Sequence, residues 1–128
     1  MNRESRRVLL VEDNADNRYL ASLLLQQEGY EVVQASCGRE ALDLLGTSAF
    51  AFALLDLQLP DIDGFELAAR IHGAPGWENL PLIAVSAFAL ADDRRRAFAA
   101  GCTGYLEKPV DADAFVAQVR CLAGADVP

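Results

Sequence analysis

Five short apolar runs recur along the 128 residues, and each is followed by a stretch with helical spacing. The runs are Val8-Leu9-Leu10-Val11, a weaker one over 31–35, Phe52-Ala53-Leu54-Leu55, Leu82-Ile83-Ala84-Val85 and Gly104-Tyr105-Leu106. Continuous apolar runs of this length read as strands buried on both faces. Strands that alternate with helices predict five βα units and a parallel sheet covered on both sides. Right-handed crossovers leave few ways to arrange them.

The punctuation agrees. The spacing predicts a first helix over 15–28, with Tyr19, Leu20, Leu23 and Leu24 on one stripe and Gly29 just past its last turn. A short second helix is predicted over 39–45. Asp63, with Glu66 three residues on, has capping-box spacing and opens a third helix, which Gly73-Ala74-Pro75-Gly76 ends. A fourth helix is predicted over 90–100, closed by Gly101, and Asp111 caps a fifth running to about residue 122. The chain is one domain's length, so a single domain over 1–128 is expected, with its core at about 7–123 and no output domain.

Composition excludes several functions. The net charge of -8 disfavours direct binding to a phosphate backbone. The one dense basic run, Arg94-Arg95-Arg96, follows Asp92-Asp93 and reads as a solvated helix face. Cys37, Cys102 and Cys121 form neither a disulfide framework nor a zinc site. They read as reduced thiols, in keeping with a cytoplasmic location. The single histidine, His72, reads as a helix bystander. No apolar run approaches a membrane span, and no Gly-rich phosphate loop or Walker lysine is present.

In a doubly wound sheet, ligands sit beyond the carboxyl ends of the strands. Those ends carry Glu12-Asp13, Asp56, Ser86 and Lys108-Pro109. Clustered carboxylates repel one another, and a bound Mg²⁺ offsets that repulsion through oxygen ligands. A carboxylate can attack phosphorus to give an acyl phosphate, with a hydroxyl and a lysine stabilising the phosphoryl oxygens.

With the acid pair, Asp56, the Leu-Pro-Asp-Ile-Asp-Gly loop containing Pro60 and Gly64, Ser86-Ala87, Tyr105 and Lys108-Pro109 in this order, the chain resembles the response-regulator receiver family, the CheY-like superfamily. The resemblance implies a flavodoxin-like (βα)5 fold with strand order 2-1-3-4-5. It implies that Asp56 is the phosphoacceptor. Asp13 and Asp56 would ligate Mg²⁺ (or Mn²⁺) directly, Glu12 through a water, and Gln58 through its backbone carbonyl. Ser86 and Lys108 would bind the phosphoryl group, and Ser86 with Tyr105 would form the switch. Pro109 would follow a cis peptide that aims Lys108. Gln58 and Phe88 occupy positions that tune dephosphorylation in this family.

The implied function is signalling rather than enzymatic: a phosphoacceptor that assists its own phosphorylation and dephosphorylation. Its phosphodonor would be a sensor or hybrid histidine kinase or a histidine phosphotransfer protein. Phosphorylation would switch a protein-binding surface of the fourth helix, fifth strand and fifth helix toward a downstream protein, in a monomer or weak dimer. Asp13-Asn14 with Asn17-Arg18, and Ser86-Ala87-Phe88-Ala89-Leu90, are similar to single-domain relay receivers of kinase, cell-cycle and polarity pathways, and to receivers of hybrid kinases.

Two other readings compete. A phosphorylation-independent pseudo-receiver would keep the fold only, and the intact residue set argues against it. An aspartate-nucleophile phosphatase would need an acid two residues after the nucleophile, where Gln58 has no proton to give.

Overall fold

The computed structural model describes residues 6–47, 49–87, 91–108 and 111–123. Five strands, β1 (Arg7–Val11), β2 (Glu31–Ala35), β3 (Phe52–Asp56), β4 (Leu82–Ser86) and β5 (Gly104–Glu107), pair in parallel in the order β2-β1-β3-β4-β5. Five helices alternate with them: α1 (Ala15–Gln27), α2 (Gly38–Leu45), α3 (Gly64–Gly73), α4 (Ala91–Ala99) and α5 (Phe115–Ala123). The expected flavodoxin-like (βα)5 fold and strand order are both present.

Alternation along each strand makes two cores, because successive side chains point to opposite faces. Leu9, Leu55 and Ala84 meet Ala41, Leu67, Ile71 and Ala97 on the α2–α3–α4 side. Leu10, Phe52, Leu54 and Ile83 meet Leu25, Phe115 and Val119 on the α1–α5 side. There the ring of Tyr30 stands edge-on to Phe52, with centroids 5.5 Å apart. The central strands β3 and β4 are buried at every position, so Asp56 and Ser86 are carried into the interior on apolar chain.

Three helix details differ from the expectation. In α1, Leu24 packs against the core, but Tyr19 is 70% exposed and Leu20 and Leu23 also lie outward. Successive helical residues rotate by roughly 100°. The face that seats on the sheet is centred on Ala21, Ser22 and Leu25, which puts Tyr19 and Leu23 on the far side. Asp63 caps α3 as expected, accepting the Phe65 N–H at 2.7 Å, but Glu66 pairs with Arg70 one turn on. Asp111 begins a turn, in which its carboxylate accepts the Asp113 N–H at 3.0 Å and its carbonyl the Ala114 N–H, and α5 starts at Phe115.

His72 is structural. Its Nε2 lies 2.8 Å from the Leu80 carbonyl, and its ring fills the space beside Gly101, whose φ of +109° suits glycine. Among the described residues no helix is long and apolar enough to cross a membrane.

Gly64 is the tightest backbone approach near the sheet edge. A Cβ there would lie 2.5 Å from the Leu57 Cα and 2.8 Å from the Asp56 carbonyl oxygen, whereas Gly73, in the same helix, has nothing within 4 Å. Gly64→Ala is therefore expected to destabilise the fold by about 1–3 kcal/mol through overpacking. Gly73→Ala is expected to be neutral or stabilising by up to about 1 kcal/mol. Urea melts of the two variants check this, and equal stabilities would contradict it.

Candidate functional site

The strand register assembles the site. Val11 pairs with Leu55, so the next residues, Glu12 and Asp56, emerge side by side at the carboxyl edge. Asp56 pairs with Val85, and Ser86 follows it on β4. Ser86 pairs with Glu107, and its carbonyl accepts the Lys108 N–H at 2.7 Å. These residues surround the point where β1 and β3 are neighbours and their connections diverge, the usual ligand position in such a sheet.

Asn14 takes the helix-capping job at the end of β1: its side chain accepts the Asn17 N–H at 2.9 Å, and its own N–H donates to Glu12 Oε2 at 3.1 Å. Asp13 is thereby left to face the cluster. Oxygens of Glu12, Asp13 and Asp56 lie within 4.8 Å of one another, and Asp13 is the exposed member. Gln58 donates its N–H to Asp56 Oδ1 at 3.0 Å.

Lys108 holds the buried pair together. Its Nζ lies 2.7 Å from Glu12 Oε1 and 3.1 Å from Asp56 Oδ2. Glu12 is 5% exposed and Asp56 4%. Burial pushes the Glu12 carboxyl up from 4.5 to about 7; Lys108 pulls it down, but not enough to offset burial and the neighbouring Asp56. Burial alone would lower the Lys108 ammonium, but Glu12 and Asp56 outweigh it and the net direction is up. The cluster thus sets one cation between two buried acids, and Glu12 is the one whose proton is held more tightly.

The donor set is entirely oxygen, which suits a hard cation such as Mg²⁺ or Mn²⁺ and not a soft metal. Among the described residues, Glu12, Asp13 and Asp56 offer the carboxylate oxygens that could hold such an ion. A cavity of about 490 Å³ opens beside them, with Glu12, Asp56 and Lys108 at its polar end and Leu20, Ala21 and Phe115 along its apolar wall.

Ser86 is 1% exposed at the end of β4, and the Tyr105 ring is 5% exposed. The Arg94 guanidinium lies 5.5 Å from the centre of that ring, and Arg96 lies 4.1 Å from the centre of Phe65. The arginine run is exposed, as expected, yet two of its members also stack on aromatics. Phe88, Ala89, Leu90 and Pro109 lie outside the described residues. Arg18, noted in the sequence only as part of a subgroup resemblance, donates from Nη1 to the carbonyls of Glu12 at 2.8 Å and Asp13 at 3.4 Å, fixing the backbone of the acid pair. Its signal was the spacing: one helical turn from the Asn14 cap brings it back over the strand end.

The raised Glu12 carboxyl gives a pH dependence. Between pH 4.5 and about 7 the folded chain holds a proton that the unfolded chain has released. Raising the pH through that window therefore removes stability that is fully present below pH 4.5. In chelator, wild type should lose more melting temperature across the window than Glu12→Gln. Parallel pH profiles would show that Glu12 does not carry this proton.

The family model described as response regulator receiver domain matches residues 8–120. The polar-differentiation response regulator DivK of Brucella ovis is 34% identical over 117 residues, covering 91% of this chain and 95% of the relative. The chemotaxis response regulator CheY4 of Vibrio cholerae superposes with a TM-score of 0.86 at 28% identity, covering 91% of this chain and 97% of that one. The receiver domain of a sensor histidine kinase from Pseudomonas aeruginosa PAO1, solved with a magnesium ion coordinated in its active-site cleft, has a TM-score of 0.84 at 29% identity and covers 93% and 98%. Fold, strand-end residues and these likenesses agree: the chain belongs to the response regulator receiver domain family of two-component signalling.

Proposed function

We propose that this chain is an active phosphoacceptor, modified on Asp56 by a sensor or hybrid histidine kinase or a histidine phosphotransfer protein. The observation that carries the reading is the Lys108 ammonium within 3.1 Å of the Asp56 carboxylate, in a cluster with Glu12 and Asp13. That arrangement leaves a carboxylate buried yet charge-balanced at the mouth of a cavity.

In the transfer, an Asp56 oxygen forms a bond to phosphorus as the donor's N–P bond breaks, and the electron pair returns to the donor imidazole. Lys108 moves from the carboxylate to a phosphoryl oxygen, and the Ser86 hydroxyl donates to another. Asp13 and Asp56, with the Gln58 carbonyl and Glu12 nearby, would hold a Mg²⁺ ion, which would neutralise charge on the acids and the phosphoryl group when bound. Hydrolysis of the aspartyl phosphate resets the switch, so the chain assists its own turnover without acting as a conventional enzyme.

The output is a change in protein binding on the surface of α4, β5 and α5. A two-state receiver needs only a few kcal/mol of bias to move its population, which two new bonds to a phosphoryl group can supply. The magnesium-bearing kinase receiver supports the metal assignment, and the likeness to DivK, a polar-differentiation response regulator, supports a regulatory role.

Intact-mass measurement after incubation with acetyl phosphate and Mg²⁺ tests the reading. Wild type is expected to gain one phosphoryl group, and Asp56→Asn or added chelator to prevent it. Lys108→Ala is expected to slow the modification by about 10²-fold. No mass gain in wild type, where a control receiver is modified, would replace the phosphoacceptor with a phosphorylation-independent binding module.

A further inference from the structure

The N-terminus of α2 lacks a cap of its own. Cys37 holds the capping position with an extended backbone but makes no side-chain hydrogen bond to the first turn. A carboxylate from elsewhere in the chain does the work. Asp61, in the loop after β3, accepts the Gly38 N–H on Oδ1 and the Arg39 N–H on Oδ2, each at 2.9 Å. The fit is close on the neighbouring side as well, since a Cβ on Gly38 would lie 1.9 Å from Ile62 Cγ2. The Arg39 and Gly38 backbone N–H groups hold the Asp61 carboxyl below its ordinary range.

The same loop is fixed to α3. Asp63 caps that helix through the Phe65 N–H, Gly64 donates its N–H to the Leu57 carbonyl, and Gln58 bridges Asp63. The segment 57–63 is thus a strap pinned to two helix N-termini, one by each of its acids. Its first residues are the ones that touch the phosphoacceptor: Gln58 donates to Asp56 Oδ1.

We propose that Asp61 is a positioning residue for the metal and phosphoryl site: by capping α2 from the β3–α3 loop, it sets where Gln58 presents its backbone to Asp56 and the cation. This rests on the phosphoacceptor reading above, through the metal. Loss of the cap removes one of two restraints on the strap, leaving Gln58 held only from the Asp63 side and by its N–H to Asp56, so that its carbonyl is less firmly placed, while Glu12, Asp13 and Lys108 lie on other elements. The effect is therefore on cation affinity and on the chemistry, over and above any loss of stability.

Titration of Mg²⁺ alone by calorimetry, with acetyl phosphate modification rates alongside, tests the proposal. Asp61→Ala is expected to raise the Mg²⁺ dissociation constant by about tenfold, as removal of a partner behind a metal ligand commonly does. Asp61→Asn, which keeps one acceptor oxygen, should fall between it and wild type. Ala41→Gly, inside α2, lowers stability without touching the strap and should leave Mg²⁺ affinity at the wild-type value. The proposal is overturned if both Asp61 variants melt earlier but bind Mg²⁺ and react as wild type does, or if Ala41→Gly weakens binding as much as they do. If wild type itself takes up no Mg²⁺, the phosphoacceptor reading fails first and the positioning role falls with it.

Discussion

One ammonium between two buried carboxylates holds the working edge of this sheet together. Lys108 reaches Glu12 and Asp56 from the loop after β5, crossing the ends of the intervening strands. Without it, two acids that are almost fully enclosed would face each other across the β1–β3 seam, at a cost of several kcal/mol for each uncompensated charge. The contact also ties the C-terminal part of the chain to its first strand. It is a polar tie between the two ends of the fold, placed at the carboxyl edge of the sheet beside the acid cluster.

That arrangement depends on register. The alternation that puts Leu9 and Leu55 on one face and Leu10 and Leu54 on the other also fixes which residues reach the edge. Packing and chemistry are therefore set by one choice. A one-residue slip of β1 would turn its core residues to the wrong face and carry Glu12 away from Asp56. The glycine at position 64 tightens the geometry further, because the first turn of α3 presses on the backbone that leaves β3.

Much of this was legible in the sequence because it is local. Apolar runs, glycines after helices and acids at strand ends each declare themselves within a few residues, and strand-to-helix alternation made the parallel sheet nearly unavoidable. What stayed hidden depends on partners distant along the chain. Asp61 looked like a loop acid, and its role appears only when α2 is seen 22 residues earlier, with its N–H groups aimed at it. Arg94 and Arg96 looked like a solvated run until Tyr105 and Phe65 came beneath them. Helical spacing identified a stripe on α1 but not which way it faces, because Ala21 and Ser22 gave too weak a signal to mark the true inner side. At α5, Asp111 opens a turn, and the residue where the helix starts is decided by Phe115 entering the core.

The outward stripe on α1 has a colloidal consequence. Tyr19, Leu20 and Leu23 present adjoining apolar surface on a chain whose net charge is -8. At low ionic strength two copies repel each other well before these side chains can touch. Added salt shortens the reach of that repulsion to about 8 Å near 0.15 M while leaving apolar attraction intact. Ionic strength therefore sets how closely two copies of this chain can approach one another along that helix.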